Sequence, residues 1–377
     1  MNKLVKKLML VAAMLMLAAG PSFAADAIRI GLMCPLTGKW ASEGQDMQQI
    51  VSLLVSEVNK AGGINGKQIE LIVEDDAGDP RTASLAAQKL ASAGVMAVIG
   101  TYGSAVTEAS QNIIDEAEIM QIATGSTSVR LTEKGLPLFF RTCPRDDEQG
   151  RVASKVIAAK GFKKVAILHD NSAYAKGLAD EAKQRILDKK SADIVFFDAL
   201  VPGERDYSAI LTKLRSADPD LFFYPGYYPE AGMLLRQKKE MHWDVPMMGG
   251  DAANNTDLVK IAGKDAAKGY FFISPPSAHD FDTPEAKDFF SRYKAQYNSL
   301  PSSVWSVLAG DAFKVIVAAL QAGTDANPEA VAKYLKKDLK EYPGLTGKLG
   351  FNEKGDRIGD LYKAYEVDGN GGFVLQK

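Results

Sequence analysis

The chain has 377 residues, with 45 basic and 47 acidic side chains, three histidines and two cysteines. A formal charge of −2 leaves no basic footprint for nucleic acid. The scattered His169, His242 and His279 and the distant Cys34 and Cys143 make no metal site, and there is no HExxH, GxSxG or CxxC pattern.

In chain order, the first feature is Lys3, Lys6 and Lys7 ahead of the apolar run Leu8–Ala19, closed by Ser22-Phe23-Ala24. This is the pattern of a cleaved secretory signal over residues 1–24. Its apolar core is too short for a spanning helix, and no cysteine stands at the cleavage point to carry a lipid. Loss of the three lysines takes the balance to −5. No later run reads as long and apolar enough to cross a membrane. The remaining length exceeds what one core usually serves, so two domains are expected.

Residues 27–34 (AIRIGLMC) read as a strand. In the helical stretch that follows, Met47, Ile50, Val51, Leu54 and Val58 share one face. Residues 67–76, 95–100 and 119–124 are the next strands, with Pro80 suited to a helix start. The pattern then restarts with 163–170, 192–200, 220–226 and 245–250, runs nearly continuous in apolar residues, as strands buried on both faces should be. After 269–274, residues 283–337 read mainly as helix, and the end reads as a hairpin around GNGG. Repeated β-α-β units predict an α/β fold of two similar lobes. Each is a mostly parallel sheet with helices on both faces, and a ligand cleft lies between them.

Ligands of such sheets bind beyond the carboxyl ends of the strands. Four turns there carry chemistry. In IGTYGS, Ser104 sits at a helix start, where it either caps the helix or donates to an anion. ATGSTSVRLT is a second donor-rich turn in the same lobe. Neither matches GxGxxG or GxxxxGK[ST], so a carboxylate fits better than a nucleotide. In FYPGYYPE, Tyr227 and Tyr228 face the cleft or pack over the sheet edge. In MMGGDAANN, Asp251 pairs with a cation or caps the next helix. Together the turns offer hydroxyl donors on one lobe and an acid with a tyrosine on the other, the polarity of a site for an α-amino acid.

Over essentially the whole mature length the sequence resembles the periplasmic binding proteins for branched-chain amino acids, the substrate-binding components of ABC importers with a two-lobed type I fold. The resemblance is carried by PLTGKWASEGQD, AGGINGK, EDDAGDP, IGTYGS, TGSTSVRLT, FFRTCPRDDEQG, VAILHDNSAYAKGLA, VPGERDYSAIL, YPGYYPE and GFNEKGD in that order. It implies that Ser104 and Thr127 bind the ligand carboxylate, with a backbone contact at Gly125 that also meets the amine. Tyr227 and Asp251 hold the ammonium group, and Tyr174 closes over the ligand. It further implies a periplasmic location, capture of leucine, isoleucine or valine by lobe closure, a membrane permease as partner, a monomer, no cofactor and no catalysis. Lobe 1 would comprise 25–142 plus 275–355, and lobe 2 143–274 plus 356–377.

The sequence departs from the pattern at several places. Well-known members join by a disulfide two positions that match Gly78 and Gly103. An aromatic of the side-chain pocket is replaced by Glu43, and a leucine by Tyr102. Glu43 therefore points to solvent, with Trp40 or Tyr102 filling the pocket, or else faces the cavity and admits a polar side chain. Cys34 and Cys143 form either one disulfide or two separate buried thiols. The rival readings are a same-fold binder of an aromatic carboxylate, amide or small peptide, which would leave Asp251 without a cation, and a dinucleotide-dependent enzyme, which lacks its fingerprint. A regulator's sensor core lacks a helix-turn-helix segment.

Overall fold

The computed structural model describes residues 27–376, so the expected signal segment lies outside the described residues. Five strands form the first sheet: β1 (Ile28–Cys34), β2 (Ile69–Asp75), β3 (Ala97–Ile99), β4 (Met120–Ala123) and β5 (Phe139–Arg141). They lie in the order β2-β1-β3-β4-β5, all parallel. Alternation along β3 shows burial on both faces. Ala97 and Ile99 enter one apolar cluster and Val98 the opposite one.

The second sheet holds β6 (Lys164–His169), β7 (Asp193–Ala199), β8 (Leu221–Tyr224), β9 (Met247–Gly249) and β10 (Phe271–Ser274). After a short hairpin, β11 (Tyr342–Gly344) and β12 (Gly347–Leu349), the chain adds β13 (Lys363–Val367) and β14 (Phe373–Leu375) to this sheet. Its order is β14-β13-β10-β9-β8-β6-β7, with only the last two strands in sequence antiparallel. These two form the expected terminal hairpin, closed where the Asp368 carboxylate accepts the N–H groups of Asn370 and Gly372.

Both sheets reverse direction at an equivalent place, between β1 and β3 in the first and between β6 and β8 in the second. Such switch points are where doubly wound sheets open a crevice for a ligand.

Helix boundaries follow local chemistry. Pro80 opens the Pro80–Ser92 helix, and the Asp79 side chain caps it by accepting the Thr82 N–H at 2.9 Å. The helix Val304–Gln321 corrects one expectation: it is long and apolar enough to span a membrane. It is instead a core helix, buried along nearly its whole length and packed on the Ala41–Lys60 helix. Phe139–Arg141, which opens FFRTCPRDDEQG and falls in none of the strands expected from sequence, is a strand completing the first sheet.

Candidate functional site

The two switch points face each other. On the first lobe, the loop after β1 delivers Trp40, the loop after β3 leads into the Ser104–Glu116 helix, and the loop after β4 carries Gly125 and Thr127. Gly103 is the residue before that helix, so Ser104 is its first helical residue rather than its cap. The Ser104 hydroxyl accepts the Ser128 N–H at 3.2 Å and makes no capping bond, which removes the cap alternative. Thr127 Oγ1 is buried and has no partner among the described residues. The Gly125 N–H donates to the Thr101 carbonyl, leaving its own carbonyl to offer. Its missing Cβ matters, because one there would lie 2.6 Å from the Tyr102 ring.

Buried polar contacts hold this turn from behind. Thr107 Oγ1 lies 2.6 Å from both Thr101 Oγ1 and Ser126 Oγ. Arg141 donates to the Ser126 and Ser128 carbonyls at 3.1 and 2.8 Å and pairs with Asp356 at 2.7 Å. Burial opposes ionisation of Asp356, but the Arg141 and Arg145 charges outweigh it and hold its carboxyl below the usual range.

On the second lobe, the loop after β6 leads to Tyr174, the loop after β8 to Tyr227 and the loop after β9 to Asp251. Asp251 is buried and makes no cap. Its carboxylate accepts the Tyr362 hydroxyl at 2.9 Å, and its backbone N–H donates to Gln149 Oε1 at 2.9 Å. Gln149 in turn donates to Tyr362 at 3.1 Å. The Tyr174 hydroxyl accepts the Ala252 N–H at 3.3 Å. Burial pushes the Asp251 carboxyl up to about 7 against these hydrogen bonds.

A second buried acid, Asp146, has neither oxygen in good hydrogen-bond geometry with a partner among the described residues, with the Thr127 hydroxyl close beside it. Burial and the Asp251 charge raise its carboxyl well above the ordinary range. Asp146 and Ser128 also line a cavity of about 380 Å³ that opens toward Ser172 and Lys176. Buried carboxylates without a cation are unfavourable, so this end of the cleft suits a positive group.

An aromatic cluster lines the cleft beside these acids. Trp40 lies 4.2 Å from Tyr227 and 5.3 Å from Tyr102, centroid to centroid, and Tyr174 lies 5.3 Å from Tyr227. Trp305 stands 6.0 Å from Tyr102. Trp40 and Tyr102, carried by the first lobe, belong to the same apolar cluster as the second lobe's core. The glycines at the disulfide-matching positions acquire a physical role here. A Cβ on Gly78 would come 2.5 Å from the Trp40 ring, and one on Gly103 would come 2.8 Å from it. The indole occupies the space that side chains at both positions would need.

Glu43 does not reach solvent; it is fully buried at the seam between lobes. It accepts Asn255 Nδ2 at 2.7 Å and the Ser303 hydroxyl. Burial pushes its carboxyl up to about 8. Beside it, Tyr228 donates to the Lys39 carbonyl at 3.0 Å and lies 3.2 Å from the Ser42 hydroxyl. Lys39 and Glu230 approach to 3.8 Å. The start of the Ala41–Lys60 helix is thus tied to the second lobe.

All eight sequence-predicted residues, Trp40, Tyr102, Ser104, Gly125, Thr127, Tyr174, Tyr227 and Asp251, stand on the loops that follow the strand ends or in the first turn of the helices those loops lead into. Among the described residues no hydrogen bond joins Tyr227 to Asp251. The Tyr227 hydroxyl lies instead by the Ser104 N–H, where burial first and then the charges of Asp170, Asp146 and Asp251 raise its pKa. Sequence reasoning missed Asp146, Gln149, Trp305 and Tyr362. The position of Asp146 at the start of the Asp146–Ala159 helix, just beyond the end of β5, was the available signal. Cys34 and Cys143 are separate buried thiols in different clusters, which settles that alternative.

Two doubly wound lobes meeting at their switch points, with hydroxyl donors on one side and buried acids on the other, define a ligand-capturing cleft protein. The chain belongs to the periplasmic binding protein family, whose profile matches residues 27–372. The leucine-, isoleucine-, valine-, threonine- and alanine-binding protein of Pseudomonas aeruginosa is 37% identical over 350 residues, 92% of each chain. The Leu/Ile/Val-binding protein BraC3 of Rhizobium johnstonii is 36% identical over 353 residues, covering 93% of this chain and 94% of that one. Among solved structures, the branched-chain amino acid transporter substrate-binding protein LivJ of Streptococcus pneumoniae, in complex with isoleucine, superposes with a TM-score of 0.82. It is 31% identical and covers 93% of this chain and all of that one. The α/β fold and its two-lobed type are therefore as the sequence predicted.

Proposed function

We propose that this protein is the substrate-binding component of an ABC importer and captures leucine, isoleucine or valine by closure of its two lobes. The observation that carries the reading is the polarity of the cleft. Ser104, Thr127 and the start of the Ser104–Glu116 helix face an anion, and Asp251 with Asp146 faces a cation. A zwitterionic head group answers both, and an amine-free carboxylate leaves the acids unanswered. Gly125 offers its carbonyl to the ammonium group, and Tyr174 covers the ligand from the second lobe. The names of the Pseudomonas and Rhizobium relatives and the isoleucine complex of LivJ support the ligand class.

Apolar side-chain surface would leave water among Trp40, Tyr102 and Tyr227, contributing about 25 cal/mol per Å² buried. Capture requires no catalysis. The lobes comprise 25–142 with 275–355 and 143–274 with 356–377. Residues 1–24 are removed on export to the periplasm, the protein acts as a monomer, and a membrane permease receives the closed form.

A thermal-shift screen of refolded mature protein against the common amino acids, benzoate, phenylacetate, acetamide and a dipeptide tests this reading. Stabilisation by leucine, isoleucine and valine is expected. Stabilisation only by amine-free carboxylates would overturn it.

A further inference from the structure

The cleft holds more acid than one ammonium group can answer. Asp251 and Asp146 are each 1% exposed, and the Asp251 charge acts on Asp146. An α-amino group brings one positive charge, and a buried carboxylate left over is unfavourable. Asp251 is supported by the Tyr362 hydroxyl, whereas Asp146 lines the cavity of about 380 Å³ with Ser128, Asn171, Ser172 and Gly177. Its carboxyl is aimed into that space: beyond its own helix, the nearest atom that a Cβ on Gly177 would meet is Asp146 Oδ2, at 3.8 Å. The other charged groups of the lining are answered. Lys176 pairs with Asp180, Arg130 with Glu108, Glu133 with Lys354, and Glu181 with Arg185. The Arg141 charge reaches Asp146 from behind, but that guanidinium is committed to Asp356 and the Ser126 and Ser128 carbonyls. Among the described residues, Asp146 is the one charged side chain of this lining without an ion pair.

We infer that the Asp146 cavity receives a second positive group of the ligand, so that the site takes α-amino acids with short cationic side chains alongside aliphatic ones. This rests on the amino-acid reading above: the α-ammonium group stays at Asp251, and the side-chain ammonium pairs with Asp146. Ser128, Asn171 and Ser172 make the rest of that wall polar, as a charged group needs. Ornithine is the direct probe and norleucine its uncharged match. The two share one chain of heavy atoms, with an ammonium group in the first where the second has a methyl.

The test is calorimetric titration of ornithine, norleucine and leucine into the refolded mature protein and into Asp146→Asn and Gly177→Leu, with circular dichroism melts to establish that each variant folds. A cleft that buries the side-chain ammonium without an acid rejects ornithine relative to norleucine by on the order of 100-fold or more. The inference expects the two wild-type affinities to agree within about tenfold, and Asp146→Asn to move their ratio at least about tenfold against ornithine. Taking the ratio removes any effect the substitution has on the head group common to both ligands. If Asp146→Asn does not fold, Gly177→Leu carries the same test, since its side chain fills the cavity in front of Asp146. Leucine binding without ornithine binding, a wild-type preference for norleucine near 100-fold, or a ratio unmoved in the folded variants overturns the inference. Failure of leucine, norleucine and ornithine all to bind overturns the amino-acid reading instead.

Discussion

Glu43 and Asn255 hydrogen bond at 2.7 Å across the seam between the lobes. Glu43 stands on the first lobe's opening helix and Asn255 on the loop beyond β9 of the second, so this bond exists only while the lobes are together. Asn255→Ala removes one link and leaves a buried carboxyl oxygen unmet, which costs about 1–3 kcal/mol. Leucine affinity is expected to fall roughly tenfold or more, and small-angle scattering should show a more open ligand-free form. Unchanged affinity and unchanged scattering would show that the seam plays no part in closure.

The head-group assignments make a paired prediction. Asp251→Ala and Ser104→Ala each strand a charged end of the ligand, so each should weaken leucine binding by more than about 1 kcal/mol. Isothermal titration measures both. Full affinity in the two variants would mean that the head-group pocket is misplaced.

Acidity gives a further handle. Burial holds the free Asp251 carboxyl near 7, and an ammonium ligand favours its ionised form. Leucine affinity should therefore fall as pH drops below 7, approaching about tenfold per unit. Titrations near pH 6.5 in buffers of different ionisation enthalpy should show proton release on binding. Asp251→Asn should reduce the release, with Asp146 the remaining source.

The same groups set the stability of the ligand-free protein. Asp251, near 7, and Glu43, near 8, hold protons in the folded state that the unfolded chain releases near pH 4. More protons bound when folded means that their contribution to stability is greatest at and below about pH 4 and declines as pH rises to 8. Urea melts across that range should show the decline, reduced in Asp251→Asn. A flat profile contradicts the burial of these acids.

Trp40 should respond to its glycine neighbours. A methyl at Gly103 would fall 2.8 Å from its ring, so Gly103→Ala must push the indole aside, costing about 1–3 kcal/mol. A red-shifted tryptophan emission and weaker leucine binding are expected. Reducing agent, by contrast, should leave the melting temperature unchanged, because Cys34 and Cys143 are separate thiols.

Much of this was legible in the sequence because period and turn chemistry are local. The strand ends at Gly100, Ala123, Gly226 and Gly250 could be found from apolar runs meeting glycine and hydroxyl residues. Strand order is not local. Nothing in the runs themselves says that β1 and β3 are neighbours, and that adjacency brings Trp40 to Gly103. Asp146 was hidden in the charged run RDDEQG, which resembles a solvated helix start, yet tertiary packing buries it. Tyr362 and Gln149 reach Asp251 from segments 111 and 102 residues away, distances over which sequence patterns carry no geometry. Glu43 broke the expected apolar pattern because its partners, Asn255 and Ser303, lie more than 200 residues away.

The central claim is that the cleft recognises an amino acid by both charged ends of its head group. The most direct measurement is calorimetric titration of the refolded mature protein with leucine and with 4-methylpentanoate, the same molecule without its amine. The account predicts that leucine binds and that loss of the amine weakens binding at least about 100-fold, since buried acids are left without a cation. Equal affinity for the two would contradict it and assign the cleft to carboxylates.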